Sequence, residues 1–417
     1  MNTRRNFLKI TGTGITGALL SSLNSNAAKL NTKGYKIKVG VLLPNSIEHP
    51  QYPGAFLNGL RLGIDQQNSL KKGKIELVTE SVNFGTPFIV KEKIQKLTTE
   101  NNVDLITGVV NSEVATHAGY LFKNAQIPAI IANAGESYLV NELKQNPFMF
   151  FNSLNLFQAA YESGKYAVQN FGKNIAVVTS FYDSGYDSLF TFSLGVEAAG
   201  GNITETFITN QNSKDKDHLI FEKLEASKPD GIYVFMHGRE SDDFIRNVHF
   251  KGLNIPLITT GFSTEENRLV NLGNAAENVV SIASWVKSLM SKENKSFVNN
   301  YRKTYNKTPD LFSVLGFETG QIIFDSLSRC SGDFGGIAIA NAIKTCKIES
   351  PRGTVAVNAD SGMVQNNLVV CKAKMSLFSV PENQLIETIQ PVTEFDESFA
   401  VLDNEYRSGW LNPYLFV

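Results

Sequence analysis

The sequence predicts an α/β protein of two lobes, each built on a mainly parallel sheet. Three observations carry this. From Lys36 onward, short runs of β-branched and aliphatic residues alternate with segments of helical spacing, the pattern of successive βαβ units. The series restarts after "NPFMFFNSL" (146–154), giving two sets of similar size. The 417 residues suffice for two or three cores. No low-complexity stretch separates the sets, so lobes joined by several segments fit better than domains on a string.

The elements follow in order. "KIKVGVLL" (36–43) reads as a buried strand, "AFLNGLRLGIDQQN" (55–68) as a helix with Phe56, Leu60 and Ile64 on one face, and "IELVTES" (75–81) as the next strand. Helix 87–101, strand "VDLITGVV" (103–110), helix 112–125 and strand "IPAIIAN" (127–133) complete the first set. Connections this short make the sheet mainly parallel. The second set runs through helix 156–171, strand 174–180, helix 186–199, strand 202–208, helix 216–227, strand 230–236, helix 240–251 and strand 256–260. "AENVVSIASW" (276–285) crosses back, and helices 292–306, 311–329 and 335–345 rejoin the first lobe. "RGTVAVNADSG" and "NNLVVCKA" read as a closing hairpin. The tail from about 376, with Pro381, Pro391 and Pro413, reads as irregular. The predicted division is 1–27 as an export signal, 35–153 with 284–350 as lobe 1, 154–283 with 351–375 as lobe 2, and 376–417 as a tail.

The first residues contain Gly12-Thr13-Gly14-Ile15-Thr16-Gly17-Ala18, a formal match to the dinucleotide fingerprint. A working fingerprint follows a buried strand and opens a helix. Here polar and basic "MNTRRNFLK" precedes it, so no nucleotide cofactor is expected. Arg4, Arg5 and Lys9, the apolar stretch Ile10–Leu23 and Ser25-Asn26-Ala27-Ala28 form the three parts of an export signal. "TRRNFLK" resembles the twin-arginine motif, which directs export of already folded proteins and implies a periplasmic location.

Composition narrows the function. The 39 basic and 40 acidic residues balance, which argues against nucleic-acid binding or attraction to a membrane surface. No later apolar run reaches the ~18 residues of a membrane span. Cys330, Cys346 and Cys371 form no C-x-x-C or Cys/His cluster, so no metal is expected. Cys330 and Cys346 either pair or stay as thiols, and spacing does not decide. There is no G-x-S-x-G, H-E-x-x-H or phosphate-loop motif, so no catalytic constellation is expected. Asp183 and Asp187, four apart around a turn, read as caps of helix 186–199 rather than as an acid–base pair.

In open parallel sheets, ligands sit off the carboxyl ends of the strands. The candidates there are Tyr52; Asn111 and Ser112 after the third strand; Ala134, Gly135 and Glu136 after the fourth; Ser184 and Tyr186; and His237. Asn111 and Ser112 cap a helix, bind an anion at its N-terminus, or do both. Tyrosine walls suit small-molecule clefts.

The layout resembles the extracytoplasmic solute-binding proteins of branched-chain-amino-acid (Leu/Ile/Val) type that serve ABC transporters. The resemblance runs from about Lys36 to about Lys372. It rests on "KVGVLLP…QYPGAFLNGLRLGID", "VDLITGVVNSEVA", "IPAIIANAGES", "NPFMFFNSL", "NIAVVTSFYDSGYDSLFTFSLGVEAAGG", "PDGIYVFMHG…FIRNVHFKGLNIPLITTG" and "SPRGTVAVN". It implies two Rossmann-like lobes joined by a three-segment hinge, as in type I periplasmic binding proteins, closing on ligand. The family's G-P-x-S-S turn falls on Gly108–Ser112, with Asn111 replacing the first serine. Its Gln-Tyr-Gly segment falls on Gln51-Tyr52-Pro53, and the tyrosine of its second-lobe G-Y-G falls on His237 before Gly238.

Three departures bear on the ligand. The Ala-Thr of the fourth-strand turn becomes Ala134-Gly135, followed by Glu136. The acid that pairs the ligand ammonium becomes glycine, near Gly261. The Tyr-Gly of the D-x-x-Y-G turn becomes Ser184-Gly185, beside Tyr186. An unpaired buried ammonium is costly, so either Glu136 supplies the charge or the ligand lacks an ammonium group. The resemblance implies a binding protein, not an enzyme. It would capture an amino acid, amide or small organic acid for an ABC permease and ATPase complex, with no stable membrane insertion after cleavage. The alternatives are a ligand-sensing subunit docking on a receptor, and an exported α/β enzyme.

Overall fold

The structure, a computed structural model, describes residues 36–68, 74–136, 146–209, 217–390 and 409–417. The expected export segment 1–27 lies outside the described residues.

In the first lobe, β1 (Lys36–Leu43), β2 (Lys74–Ser81), β3 (Leu105–Val109), β4 (Ala129–Asn133) and β5 (Met149–Ser153) form a parallel sheet ordered β2-β1-β3-β4-β5. Val39 sits opposite Leu77 on one side and Leu105 on the other. Its first helices are α1 (Tyr52–Asn68), α2 (Pro87–Thr99), α3 (Ser112–His117) and α4 (Gly119–Ala125). One continuous helix was expected over 112–125. It divides at Ala118–Gly119, where Asn146 Nδ2 donates to the Gly119 carbonyl at 2.8 Å and Met149 Sδ would lie 2.8 Å from any Cβ at Gly119.

The second lobe holds α5 (Leu156–Asn170), β6 (Asn174–Ser180), α6 (Ser188–Ala198), β7 (Asn202–Thr209), α7 (Asp217–Ser227), β8 (Gly231–Phe235), α8 (Gly238–Phe250), β9 (Leu257–Thr260), α9 (Glu266–Leu272) and β10 (Val280–Ala283). The chain then returns to the first lobe with α10 (Lys292–Tyr305), α11 (Leu311–Arg329) and α12 (Gly336–Lys344), and continues through β11 (Lys347–Ser350), β12 (Gly353–Val357), β13 (Val364–Gln365), β14 (Leu368–Met375) and β15 (Pro381–Ile389). The second sheet is ordered β15-β14-β10-β9-β8-β6-β7, and β11-β12-β13 form a small third sheet.

Three sequence expectations are corrected here. The two segments read as one closing hairpin enter different sheets. β12 pairs with β11 and β13, whereas β14 pairs antiparallel with β10 and β15. Residues 351–365, assigned to lobe 2, lie on lobe 1. The Phe151 N–H donates to the Gly362 carbonyl at 3.0 Å, and the buried Arg352 guanidinium donates to the Ser153 carbonyl at 2.7 Å and pairs with Glu318. The tail is not irregular from 376. β15 forms the sheet edge, with Pro381 at its first position, where a missing N–H is tolerated, and Asn383 Nδ2 donating to the Thr264 carbonyl at 2.7 Å. Its polar sequence hides the strand because only one side is covered. Cys330, Cys346 and Cys371 are buried free thiols.

Two features set the cleft. α1 and α11 pack backbone to backbone: a Cβ on Gly59 would fall 2.0 Å from the Ser313 carbonyl oxygen, and one on Gly316 2.0 Å from that of Phe56. This seam brings Tyr52 and Phe312, at the starts of the two helices, to a ring separation of 4.7 Å. The chain passes between lobes after β5, β10 and β13. Asn155 Nδ2 donates to Asn366 Oδ1 at 2.7 Å, tying the first and third passages together.

Candidate functional site

The carboxyl ends of both sheets face a cleft, and residues 409–417 lie in it. Tyr414, Leu415 and Phe416 are fully buried. The segment has no helix or strand of its own, so side chains and turns of the two lobes satisfy its polar groups.

On the second lobe, the chain after β6 makes a single 3₁₀ turn at Asp183–Gly185. Asp183 is fully buried and, contrary to expectation, caps no helix. Its carboxylate accepts from Ser180 Oγ at 2.5 Å, from His237 Nδ1–H at 2.9 Å and from the Tyr414 hydroxyl at 2.7 Å. Burial favours neutral His237, but the Asp183 charge and hydrogen bond outweigh it and raise its pKa. The Tyr414 ring is boxed by Tyr182, Tyr186, Phe235, His237 and Phe262, with centroids 5.0–6.4 Å away. Burial pushes the Tyr414 and Tyr186 phenols well up, so both act as neutral donors.

On the first lobe, Ser46 Oγ donates to the Leu415 carbonyl at 2.9 Å, and the Ile47 and Glu48 N–H groups donate to Val417. Phe416 packs at 5.0 Å from Phe312 and 6.3 Å from Tyr52. Asn111 Oδ1 caps α3 by accepting from the Glu113 and Val114 N–H groups, while its Nδ2 reaches the Asn412 carbonyl at 3.4 Å. Tyr186 donates to that same carbonyl at 3.3 Å.

Four of the nine residues expected at the site thus meet this segment: Tyr52, Asn111, Tyr186 and His237. Ser112 Oγ accepts from Asn133 Nδ2 at 2.8 Å and is held within lobe 1. The Ala134 and Gly135 carbonyls accept from Leu156 and Phe157 N–H where the chain leaves for lobe 2. Ser184 turns away, donating to the Phe181 carbonyl at 2.8 Å. Glu136 is fully buried, and neither carboxylate oxygen has a hydrogen-bond partner. Burial pushes its pKa up to about 7; nearby backbone N–H groups pull it down without aligning as donors, and Asp187 across the cleft pushes it further up.

Sequence reasoning missed Glu265 and His49 and read Asp183 as a helix cap. Glu265 lies four residues beyond Gly261. It ties the lobes, accepting from the Tyr52 hydroxyl at 3.2 Å and the Leu311 N–H at 2.8 Å. Burial, then the Asp310 charge, pushes it up to about 8. His49, its ring 5.2 Å from that of His237, is held down to about 3 by burial and then by the positive charges of His237 and Arg268. The one signal for Asp183 was its place just beyond a strand end.

Hollows among the described residues lie beside the filled cleft. One of about 540 Å³ is lined by residues including Glu48, Arg239, Asp243 and Phe250, and one of about 480 Å³ by residues including Gln51, Glu265, Lys287 and Asp310. Neither includes Asp183, His237 or Glu136.

A sequence profile of the periplasmic binding proteins matches residues 36–376. The chain belongs to the periplasmic binding protein family. Proteins of this family bind small-molecule solutes and deliver them to ABC permease and ATPase complexes. Among curated relatives, a Leu/Ile/Val-binding protein homolog 6 of Brucella abortus is 24% identical over 390 residues, spanning 90% of this chain and 96% of the relative. An ABC transporter substrate-binding protein from Sphaerobacter thermophilus superposes with a TM-score of 0.76 at 22% identity, covering 85% of this chain and 98% of that one. A solute-binding protein from Rhodopseudomonas palustris, solved with 3,4-dihydroxybenzoic acid, gives 0.73 at 24% identity, covering 86% and 98%. The shared fold is the two-lobed one that the resemblance implied.

Proposed function

We propose that this periplasmic binding protein captures a small aromatic acid bearing a phenolic hydroxyl and delivers it to an ABC importer. The observation that carries this reading is the seat of Tyr414: a p-hydroxyphenyl ring boxed by aromatic side chains, its hydroxyl donated to a buried carboxylate at 2.7 Å. A site built to accept from a phenol discriminates against the ring that lacks one, because its acceptor is then left buried and unpaired. The Rhodopseudomonas palustris protein solved with 3,4-dihydroxybenzoic acid supports the choice of ligand class. Binding by lobe closure, with no catalytic step, fits a site whose carboxylate, imidazole and phenols are committed to one another.

Calorimetry with 4-hydroxybenzoate, 3,4-dihydroxybenzoate, benzoate and isoleucine tests it. The hydroxylated acids should bind at least about tenfold tighter than benzoate, and Asp183→Asn should erase that preference. Equal affinity for benzoate and 4-hydroxybenzoate refutes the phenol reading. A second reading, an amino acid, is favoured by Glu136, whose unpartnered carboxylate would pair an ammonium group. Tight isoleucine binding abolished by Glu136→Gln selects it. Export through the twin-arginine route to the periplasm belongs to the same proposal and rests on "TRRNFLK".

A further inference from the structure

We propose that segment 409–417 is a resident ligand of this cleft, which an incoming solute must displace. The inference rests on the reading of the cleft as a solute site and adds its regulation. The segment meets both lobes through four of the residues that the sequence places at that site, Tyr52, Asn111, Tyr186 and His237, and through their neighbours. Toward lobe 2, the Gly409 N–H donates to the Gly185 carbonyl at 2.8 Å, Trp410 Nε1 to the Tyr182 carbonyl at 2.8 Å, and Asn412 Nδ2 to the Tyr182 hydroxyl at 2.9 Å. The Tyr414 hydroxyl reaches Asp183. Toward lobe 1, the segment meets Ser46, Ile47, Glu48 and Asn111, and Phe416 meets Tyr52 and Phe312. The fit is close. A Cβ on Gly185 would fall 1.9 Å from Trp410 Nε1, and one on Gly85 2.9 Å from Pro413 Cδ. Segment and solute therefore exclude each other.

The cleft is not fully satisfied by its occupant. Both oxygens of Glu136 and Nε2 of His49 are buried without hydrogen-bond partners. A solute with donors and acceptors for these groups gains contacts that the segment leaves unmade, which makes displacement favourable. Because the segment is tethered, it competes at an effective concentration in the ~mM range. Solute affinity is then reduced by the fraction of molecules whose cleft is free. A seated segment bridges both lobes, so its release accompanies their opening.

Three full-chain proteins test this: the unaltered sequence, Tyr414→Ala/Phe416→Ala, and Gly185→Ala, whose added methyl group opposes Trp410 from the lobe side. Cooperative unfolding confirms that each is folded. Hydrogen exchange reads seating without any solute. Residues 409–417 and 181–187 should exchange slowly in the unaltered chain and at least about tenfold faster in both variants, as expected when a buried aromatic anchor is lost. A synthetic peptide of residues 409–417 should bind the double variant, restore slow exchange and compete with 4-hydroxybenzoate. Both variants should bind 4-hydroxybenzoate at least about tenfold tighter than the unaltered chain. Fast exchange of 409–417 in the unaltered chain, no peptide binding to the double variant, or equal and measurable solute affinity in all three overturns the proposal. If no protein binds 4-hydroxybenzoate while slow exchange and peptide binding hold, the solute class falls and the resident ligand stands.

Discussion

Glu136→Gln isolates the most exposed assumption about the cleft, that a buried carboxylate stands there without a partner. In the unfolded chain this carboxyl titrates near 4.5, and in the folded protein near 7. Below 4.5 it is protonated in both states. Between the two values only the folded state holds the proton, so stability falls as pH rises. Each unit of separation is worth about 1.4 kcal/mol, so the fall totals about 3 kcal/mol and is complete a little above pH 7. Glutamine keeps the volume and removes the charge. Glu265, with its raised pKa, and His237, also raised, lose stability with rising pH in the same sense. His49, held down to about 3, acts in the opposite sense below its ordinary value of 6.5. All three are shared by the two proteins, so the difference between their stability curves reports Glu136 alone. Urea unfolding at pH 5, 6, 7 and 8 should show the variant gaining about 2.5 kcal/mol on the parent between the lowest and highest pH, the rest of the fall lying below pH 5. Parallel curves would refute the reasoning. They would mean that the carboxylate finds a donor or water that lowers its pKa.

Arg352→Met leaves Glu318 buried with the Ser350 hydroxyl, at 2.7 Å, in place of a guanidinium. It should cost about 3–5 kcal/mol in urea unfolding, and the paired change Glu318→Met/Arg352→Met considerably less. Gly316→Ala puts a methyl group 2.0 Å from the Phe56 carbonyl oxygen. Overpacking of about 1–3 kcal/mol exceeds the ~1 kcal/mol gained in helix propensity, so the protein should melt at lower temperature. Arg4→Lys/Arg5→Lys should leave folded protein in the cytoplasm by fractionation, whereas unchanged export would remove the twin-arginine reading.

Much of the fold was legible because its signals are local. The alternation of "KIKVGVLL", "VDLITGVV" and "DGIYVFM" with helical segments follows from residues within a few positions of each other. Asn111 caps α3 through two neighbouring N–H groups, a role that its position at a helix start announces. β15 was missed because an edge strand covered on one side needs few apolar residues, and the hairpin was misread because β12 and β14 are alike in composition but serve different lobes. For the site, strand-end logic found Tyr52, Asn111, Tyr186 and His237, yet misassigned Asp183, whose partners include a histidine 54 positions away and a tyrosine 231 positions away.

The sequence by itself determined that there are two α/β lobes, where their strands end, and which polar and aromatic side chains gather there. Only the tertiary structure decided what those side chains face. "WLNPYLFV" is an aromatic segment of no regular period, so nothing in its neighbours fixes where it packs. Its place is set by a pocket assembled from β6, β8, β9, α1 and α11, and that pocket exists only once both lobes have folded.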